Sequence, residues 1–302
     1  MIGICLFPLL DTNPYHIEIL VNCGLFVLLA LGLNVIIGFS GQLNLGYAAF
    51  FAMGAYTYAL LNLRLDFPFW AALPLCAVVA ALFGVLLSFP ALRLRGDYLA
   101  IVTLGFGEIA RIVANNLDAW TGGPNGLMGI AHPQLTAQLN FSVHSWPYYY
   151  LILCFILITV FLLHRLKNSR IGRAWVAIRE DELAAACMGV STTRFKLIAM
   201  GVGASIAGVA GCFFAAKQGA VTPDSFDFIV SIMVVSMVVL GGMGTLHGVV
   251  LGSILLSLLP ELFRNFQSYR MLIFGLAMVL IMLLRPQGLL GDVQHKEELK
   301  HA

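Results

Sequence analysis

Residues 165–196 read RLKNSRIGRAWVAIREDELAAACMGVSTTRFK and interrupt a chain that is otherwise mostly apolar. The stretch holds seven of the 17 Lys and Arg residues, and long apolar runs lie on both sides of it. Because Lys and Arg resist translocation across a bilayer, a basic loop between two membrane spans is expected in the cytoplasm. Apolar and small residues recur in the loop at helical spacing, which predicts an amphipathic helix over 170–190. Such a helix outside the membrane presents a surface that another protein can bind.

The composition excludes a water-soluble protein. Of the 302 residues, 60% are hydrophobic and 11% are charged, and the mean hydropathy is +0.91. Apolar stretches of 17 to 23 residues recur along the chain, and each is long enough to cross a hydrocarbon core of roughly 30 Å. We therefore predict an all-α, polytopic transmembrane helical bundle of eight to ten spans, folded as a single domain over 1–302. The nine spans that we predict lie at about 17–37, 47–63, 69–90, 97–115, 147–164, 197–216, 221–240, 248–263 and 271–284.

The distribution of positive charge orients this bundle. With the loop 165–196 inside and the spans alternating, the inner segments hold twelve Lys and Arg residues and the outer segments hold four. This difference satisfies the positive-inside rule. It places the loop 116–146, which contains no Lys or Arg, outside, and the polar C-terminal tail 285–302 inside.

Two glycine-rich segments interrupt the apolar pattern, and we call them the first break (GFSGQLNLG, 38–46) and the second break (GGMGTLHG, 241–248). Each follows an apolar run, and each precedes a helix of small residues. Interrupted segments in both halves are typical of transporters built from internal repeats. Non-helical backbone at membrane depth lines a cavity or is buried in protein. Two tight turns between short spans are the alternative interpretation.

A stripe of small residues predicts how the sixth span packs. Gly203, Ala207, Gly211 and Ala215 recur every four residues. Such a stripe lets helix backbones approach closely. It indicates a compact bundle and gives no information on a substrate.

The sequence has no nucleotide-binding or metalloprotease motif. It contains no Gly-x4-Gly-Lys-Ser/Thr and no His-Glu-x-x-His, so any ATP that drives the protein would bind to another subunit. One enzymatic alternative is an intramembrane serine protease. Gly38-Phe39-Ser40-Gly41 matches the nucleophile turn of rhomboid proteases, and His247 is a candidate base for the Ser40 hydroxyl.

The fourth predicted span carries two ionisable residues, Glu108 and Arg111, three positions apart. They can share one helix face, and we interpret them as a self-compensating pair at the membrane edge or inside the bundle. A proton-coupled carrier would show several acids or histidines along a path, and the sequence shows almost none.

Six segments together resemble the LivM-type permease subunits of high-affinity branched-chain amino-acid ABC importers. They are GLNVIIGFSGQLNLGYAAFFAMGAY (32–56), LRLRGDYLAIVTLGFGEIARI (92–112), TGGPNGL (121–127), NSRIGRAWVAIREDELAAACMGV (168–190), LGGMGTLHGVVLG (240–252) and RPQGLLG (285–291). The resemblance implies a multi-pass permease of the bacterial inner membrane that transports leucine, isoleucine and valine. Importers of urea, amides or aromatic acids are the alternative.

The resemblance also implies the partners of the chain. They are a second homologous permease subunit, two cytoplasmic ATPase subunits and a periplasmic substrate-binding protein. ATP and Mg²⁺ would bind to the ATPase subunits. This chain would bind no cofactor, catalyse no reaction and contact no nucleic acid.

A coupling role for the loop follows from the same resemblance. ABC importers carry a cytoplasmic Glu-Ala-Ala-x3-Gly coupling motif, and the loop has its two alanines and its glycine at the right spacing. The acid, Glu182, lies one residue early, with Leu183 in the motif's Glu position. The residues predicted to couple the chain to the ATPase are Arg173, Arg179, Glu182, Ala184, Ala185 and Gly189. A helix that merely rests on anionic lipid is the alternative.

The translocation path is predicted at the two breaks. Exposed N-termini of half-helices there could receive a carboxylate. The predicted path residues are Ser40, Gln42 and Asn44 at the first break and Thr245 at the second, with Asn125 in the outer loop expected to meet the binding protein.

Overall fold

The computed structural model describes residues 14–91, 96–133 and 146–262, together with the single residues 275, 279, 288 and 289. The ninth predicted span (271–284) and the tail (285–302) therefore lie almost wholly outside the described residues. So does the part of the predicted outer loop at 134–145.

The described residues are predominantly α-helical. Numbered in chain order, the helices are α1 (Pro14–Asn34), α2 (Tyr47–Leu65), α3 (Phe69–Ala91), α4 (Asp97–Asn116), α5 (Asp118–Thr121), α6 (Trp146–Lys167), α7 (Arg170–Glu180), α8 (Glu182–Cys187), α9 (Thr192–Gln218), α10 (Phe228–Gly241) and α11 (Leu246–Leu262). A π-turn, Val35–Phe39, extends α1, and 3-10 turns cover Gly123–Asn125 and Pro223–Phe226.

Six described helical segments are long and apolar enough to cross a membrane, and they match six of the nine predicted spans. They are Pro14–Phe39, Phe69–Pro90, Tyr98–Asn116, Trp146–Lys167, Thr192–Gln218 and Pro223–Gly241. The second predicted span forms α2, which is less apolar because its last turn contains Asn62 and Arg64. The eighth forms a shorter apolar helix, Leu246–Glu261. The described residues thus contain six clear spans, fewer than the eight to ten predicted for the whole chain.

The longest helix, α9, lies at the centre of the bundle and packs most extensively against α3 and α2. Its predicted stripe of small residues is buried. A Cβ atom at Gly208 would lie 2.6 Å from the carbonyl oxygen of Cys76 in α3, and one at Gly211 would lie 2.6 Å from the backbone nitrogen of Ala55 in α2. Backbone-to-backbone contact, which small residues permit, therefore packs these helices together.

The predicted outer loop contains a short strand where the structure describes it. Leu127–Met128 (β1) pairs antiparallel with Ala220–Val221 (β2), which follows α9. The N–H of Gly129 also donates to the Gly219 carbonyl at 3.0 Å. Extended backbone needs hydrogen-bond partners wherever it is shielded from water. Here the loop after α5 and the loop after α9 supply these partners to each other. This pairing is a small departure from the all-α prediction.

The loop 165–196 forms two helices, so the prediction of one continuous helix over 170–190 is wrong. The division lies at Asp181, whose backbone is extended (φ −150°, ψ 109°) between α7 and α8. The Asp181 carboxylate accepts hydrogen bonds from the N–H groups of Leu183 and Ala184, at 2.8 and 3.0 Å. An N-cap of this kind satisfies the free donors at the start of a helix, so Asp181 begins α8 instead of continuing α7.

Candidate functional site

The first break begins within the π-turn (Val35–Phe39) at the end of α1. Beyond this turn, the N–H of Gly41 donates to the carbonyl of Ile37 at 3.1 Å. Gly41 has a φ of +70°, which glycine adopts without strain. The chain then continues as non-helical backbone to Gly46, the residue before α2.

The predicted path residues of the first break are all buried. Ser40, Gln42 and Asn44 are 2%, 3% and 1% exposed, whereas Gly41 and Leu43 between them are exposed. The three polar side chains of the first break therefore point into the bundle.

Hydrogen bonds connect these buried side chains to α9. The Gln42 amide donates to the Ser40 hydroxyl at 2.8 Å and to the Lys196 carbonyl at 3.2 Å. The Asn44 amide nitrogen lies 3.5 Å from the sulfur of Met200. In this conformation the polar groups bond to the chain itself, and they hold the first break against the first turns of α9.

The second break joins α10 to α11 through a glycine turn. Gly242 and Gly244 have φ angles of +109° and +84°. The hydroxyl of Thr245, the path residue predicted here, donates to the Gly242 carbonyl at 2.9 Å. Thr245 is half-buried, and its hydroxyl therefore stabilises its own turn.

The two breaks touch, although the residues that join them are 210 positions apart. The side-chain oxygen of Asn34 accepts a hydrogen bond from the N–H of Gly244 at 2.9 Å. A Cβ atom at Gly38 would collide with the Asn34 side chain and would lie 2.5 Å from the Gly244 nitrogen. Only glycine fits there. The sequence predicts both breaks but gives no sign that they meet.

Two cations of the loop 165–196 bind the carbonyl oxygens of the breaks. Arg179 Nη1 donates to the Gly38 carbonyl at 2.6 Å, and Lys167 Nζ donates to the Gly244 carbonyl at 3.0 Å. Arg179 was among the predicted coupling residues, whereas Lys167 was missed, because nothing in the sequence distinguishes it from the other cations of the loop. We call Asn34, Gly38, Lys167, Arg179 and Gly244 the break junction.

Helix α7 is also held to the first break by Trp175. This side chain is fully buried, and its ring stacks on Phe39, with the ring centroids 6.4 Å apart and the planes 15° from parallel. The indole N–H donates to the Phe195 carbonyl in α9 at 2.7 Å. Aromatic stacking together with a buried hydrogen bond fixes an aromatic side chain in one orientation. The loop is therefore packed against the start of the first break.

The acid of the coupling motif has a clear place in the structure. Glu182 forms an ion pair with Lys196 at 2.7 Å, and both side chains are largely shielded from solvent. The pair connects the first turn of α8 to the first turns of α9.

The other predicted coupling residues lie on α7, on α8 and just after α8. Arg173, Ala184 and Gly189 are exposed, and Ala185 is buried. Two large apolar side chains beside them, which the prediction did not include, are also exposed: Leu183 at 62% and Met188 at 84%. The loop thus exposes two large apolar side chains in addition to Arg173.

The geometry gives no support to a serine protease. The Ser40 hydroxyl is buried and donates its proton to the Ile36 carbonyl at 2.8 Å. His247 is exposed, and no hydrogen bond joins it to Ser40 in the part of the chain that the structure describes. A hydroxyl without a base within reach is not an activated nucleophile.

The charged pair on α4 forms as predicted. Arg111 Nε lies 3.1 Å from the Glu108 carboxylate, with about a third of each side chain exposed. Arg111 also approaches Asp224 at 3.7 Å, which connects α4 to the 3-10 turn before α10. Asn125, predicted to meet a binding protein, is exposed on its 3-10 turn.

A family model described as the permease component of branched-chain amino acid transport systems matches residues 15–282. The matched range includes both breaks and the whole loop 165–196. The chain belongs to this permease family.

Named relatives of this permease share most of its length. It is 46% identical to the high-affinity branched-chain amino acid transport system permease protein LivM of Salmonella typhimurium over an alignment of 305 residues. The alignment covers 94% of this chain and 72% of that protein. Its identity to LivM of Escherichia coli K12 is also 46%, over 298 residues that cover 92% and 70% of the two chains. LivH of the same E. coli strain is 23% identical over 285 residues, 88% of this chain and 91% of LivH. No protein of known structure is significantly similar.

Family membership and six long apolar helices make this permease a multi-pass membrane protein. Its similarity extends to both LivM and LivH, two permease proteins that carry the name of one transport system. The break junction lies entirely within the matched range and is thus part of the permease domain.

Proposed function

We propose that this permease is one of two homologous permease subunits of an ATP-driven importer for leucine, isoleucine and valine in the bacterial inner membrane. The 46% identity to a LivM protein over 94% of the chain is the observation that supports this most. The 23% identity to LivH supports a second, related subunit as the partner. Urea, amides and aromatic acids, the alternative substrates, have no support from the names of these relatives.

Two cytoplasmic ATPase subunits would bind ATP and Mg²⁺, and a periplasmic substrate-binding protein would deliver the amino acid. The permease sequence has no P-loop, which supports a nucleotide site on another subunit. This chain would itself bind no cofactor and no nucleic acid. We also infer eight to ten spans, because α2 and α11 added to the six long apolar helices give eight.

Helices α7 and α8 are the proposed coupling element that the ATPase contacts. Their exposed surface combines Leu183 and Met188 with the charge of Arg173. Contiguous exposed apolar patches commonly mark protein interfaces, and Leu183 and Met188 would belong to such a patch. The small residues Ala184 and Gly189 would let a partner approach the backbone closely.

The mechanism that follows is alternating access. Closure of the ATPases on ATP would displace α7 and α8, and the bundle would switch between outward-open and inward-open states. Substrate and nucleotide shift this equilibrium only by their different affinities for the two states. Ser40, Gln42, Asn44 and Thr245 would line the path once their bonds within the breaks are released, and Asn125 would contact the binding protein.

Reconstitution with the cognate partners tests this function. Leucine-loaded binding protein is expected to stimulate both ATP hydrolysis and the uptake of radiolabelled leucine into proteoliposomes. The permease alone is expected to do neither. Uptake by the permease alone, or stimulation by urea or an aromatic acid but not by leucine, would contradict the proposal.

A further inference from the structure

Two helices end close together beside the loop 165–196, and a backbone carbonyl near each end accepts a hydrogen bond from a cation of that loop. The α1 segment ends at the first break and α10 ends at the second. The last carbonyls of a helix lack intrahelical donors and carry the negative end of the helix dipole. No backbone N–H donates to the Gly38 carbonyl in the described residues, and Arg179 supplies that donor. The positive charge of Arg179 therefore lies where a helix terminus favours it.

Lys167 makes the matching contact at the second break. Its ammonium donates to the Gly244 carbonyl at 3.0 Å and lies 5.8 Å from the centre of the Phe39 ring. Arg179 also lies close to Gly244, because a Cβ atom there would be 2.6 Å from Arg179 Nη1. Lys167 is the last residue of α6 and Arg179 lies in the last turn of α7, so the two cations flank α7, and Arg179 lies against both breaks.

One polar group of the junction is left without a partner. Asn34 is fully buried, and its side-chain oxygen is bonded to Gly244, but its amide nitrogen has no hydrogen-bond partner among the described residues. A buried donor without an acceptor costs free energy, so the present arrangement of the breaks does not satisfy the junction completely.

We propose that Arg179 and Lys167 are positioning residues that transmit displacement of α7 and α8 to both breaks at once. The inference rests on the proposed function and names the atoms through which the coupling acts. Since Trp175 is stacked on Phe39 and bonded to α9, α7 cannot slide freely over the first break. A push on the loop is therefore transferred to the Gly38 and Gly244 carbonyls, and the contact between Asn34 and Gly244 makes the two breaks move together.

Methionine substitutions test this role, because they keep a long side chain and remove the donor. The variants are Arg179→Met, Lys167→Met and the two combined. The matched control is Arg194→Met, since Arg194 is an exposed cation of the same loop with no hydrogen bond or ion pair to the described residues. In the reconstituted complex, the double variant is expected to retain its ATPase subunits and to lose at least about tenfold in leucine uptake per ATP hydrolysed, the factor that one charge-assisted hydrogen bond supplies. The control is expected to match the wild type.

Amide hydrogen exchange on the purified permease gives a second readout that needs neither ATPase nor substrate. In Arg179→Met and in the double variant, exchange in 38–46 and 241–248 is expected to accelerate at least about tenfold, while exchange in α3 stays unchanged. Wild-type uptake per ATP in the double variant, or unchanged exchange at both breaks, would overturn the proposal. Failure of the wild-type complex to import leucine would contradict the proposed function and leave the exchange measurement as the test of the junction.

Discussion

At Gly38 the backbone of the first break approaches the second so closely that a methyl group has no room. The same residue offers its carbonyl to Arg179 at 2.6 Å. Glycine is required here by space, since Gly38 is not among the residues with positive φ. The absence of a side chain at Gly38 thus allows the two breaks to stay in contact.

Gly38→Ala is therefore expected to separate the breaks. The added methyl group has to displace Asn34 or the backbone of Gly244, and overpacking of this kind costs about 1–3 kcal/mol. We expect a lower unfolding temperature in detergent and a loss of leucine uptake.

Gly105→Ala is the matched control for this substitution. A Cβ atom at Gly105 in α4 would meet nothing within 4 Å, so the unfolding temperature is expected to stay the same or rise slightly. Equal unfolding temperatures for the two variants would show that the breaks do not touch as described.

At the scale of elements, the division of the loop at Asp181 separates two tasks. Helix α7 faces the protein, with Trp175 buried and Arg179 bonded to the first break. Helix α8 is mostly exposed and is followed directly by Met188. The ion pair of Glu182 with Lys196 holds α8 to α9. This division fits the proposed roles, in which α7 transmits movement and α8 contacts the ATPase.

Met188→Glu is expected to weaken docking of the ATPase without unfolding the permease. The side chain is 84% exposed, so the new charge costs little in the free permease. It would cost far more when buried in an apolar interface without a partner charge. We expect less ATPase to co-purify with the tagged permease, at an unchanged unfolding temperature.

Met128→Glu on β1 is the control, because this methionine is 68% exposed and lies in the loop predicted outside. It is expected to leave ATPase co-purification unchanged. If both variants retain the ATPase fully, α8 is not the docking element.

At the scale of the whole molecule, α9 organises the bundle. It begins within the loop 165–196, where Lys196 contacts both Gln42 and Glu182. It ends at Gly219, whose carbonyl receives the N–H of Gly129 from the predicted outer loop. One continuous helix therefore connects the loop predicted inside to the loop predicted outside, and its small residues let α2 and α3 pack directly against it.

The orientation of the whole chain can be tested with a native thiol. Cys187 is a free, exposed cysteine in the last position of α8, and it is expected to face the cytoplasm. A membrane-impermeant maleimide should leave Cys187 unlabelled in intact spheroplasts and label it after permeabilisation. In the same experiment, Asn125→Cys, in a background without Cys187, should be labelled in intact spheroplasts. Labelling of Cys187 in intact spheroplasts would invert the topology and remove the coupling loop from the cytoplasm.

The sequence by itself determined the features that depend on local properties. Hydropathy over a window of about twenty residues predicted the six long apolar helices, and the periodicity of small residues predicted the close packing of α9. The glycine-rich segments marked both breaks, and the charge of 165–196 marked the loop. Each of these depends on residues that are near each other in the chain, so no knowledge of the fold was needed.

Only the tertiary structure decided which of these features meet. Asn34 and Gly244 are 210 positions apart, and their contact depends on how α1, α10 and α11 pack, for which the sequence has no local signal. The selection of Lys167 and Arg179 from seven loop cations depends in the same way on where two helix ends lie. The polar residues of the first break were predicted to line a path, but the packing of α9 decides that they now bond within the chain. Close approach between distant backbones is a property of the packed bundle, because glycine in a sequence permits it but does not specify its partner.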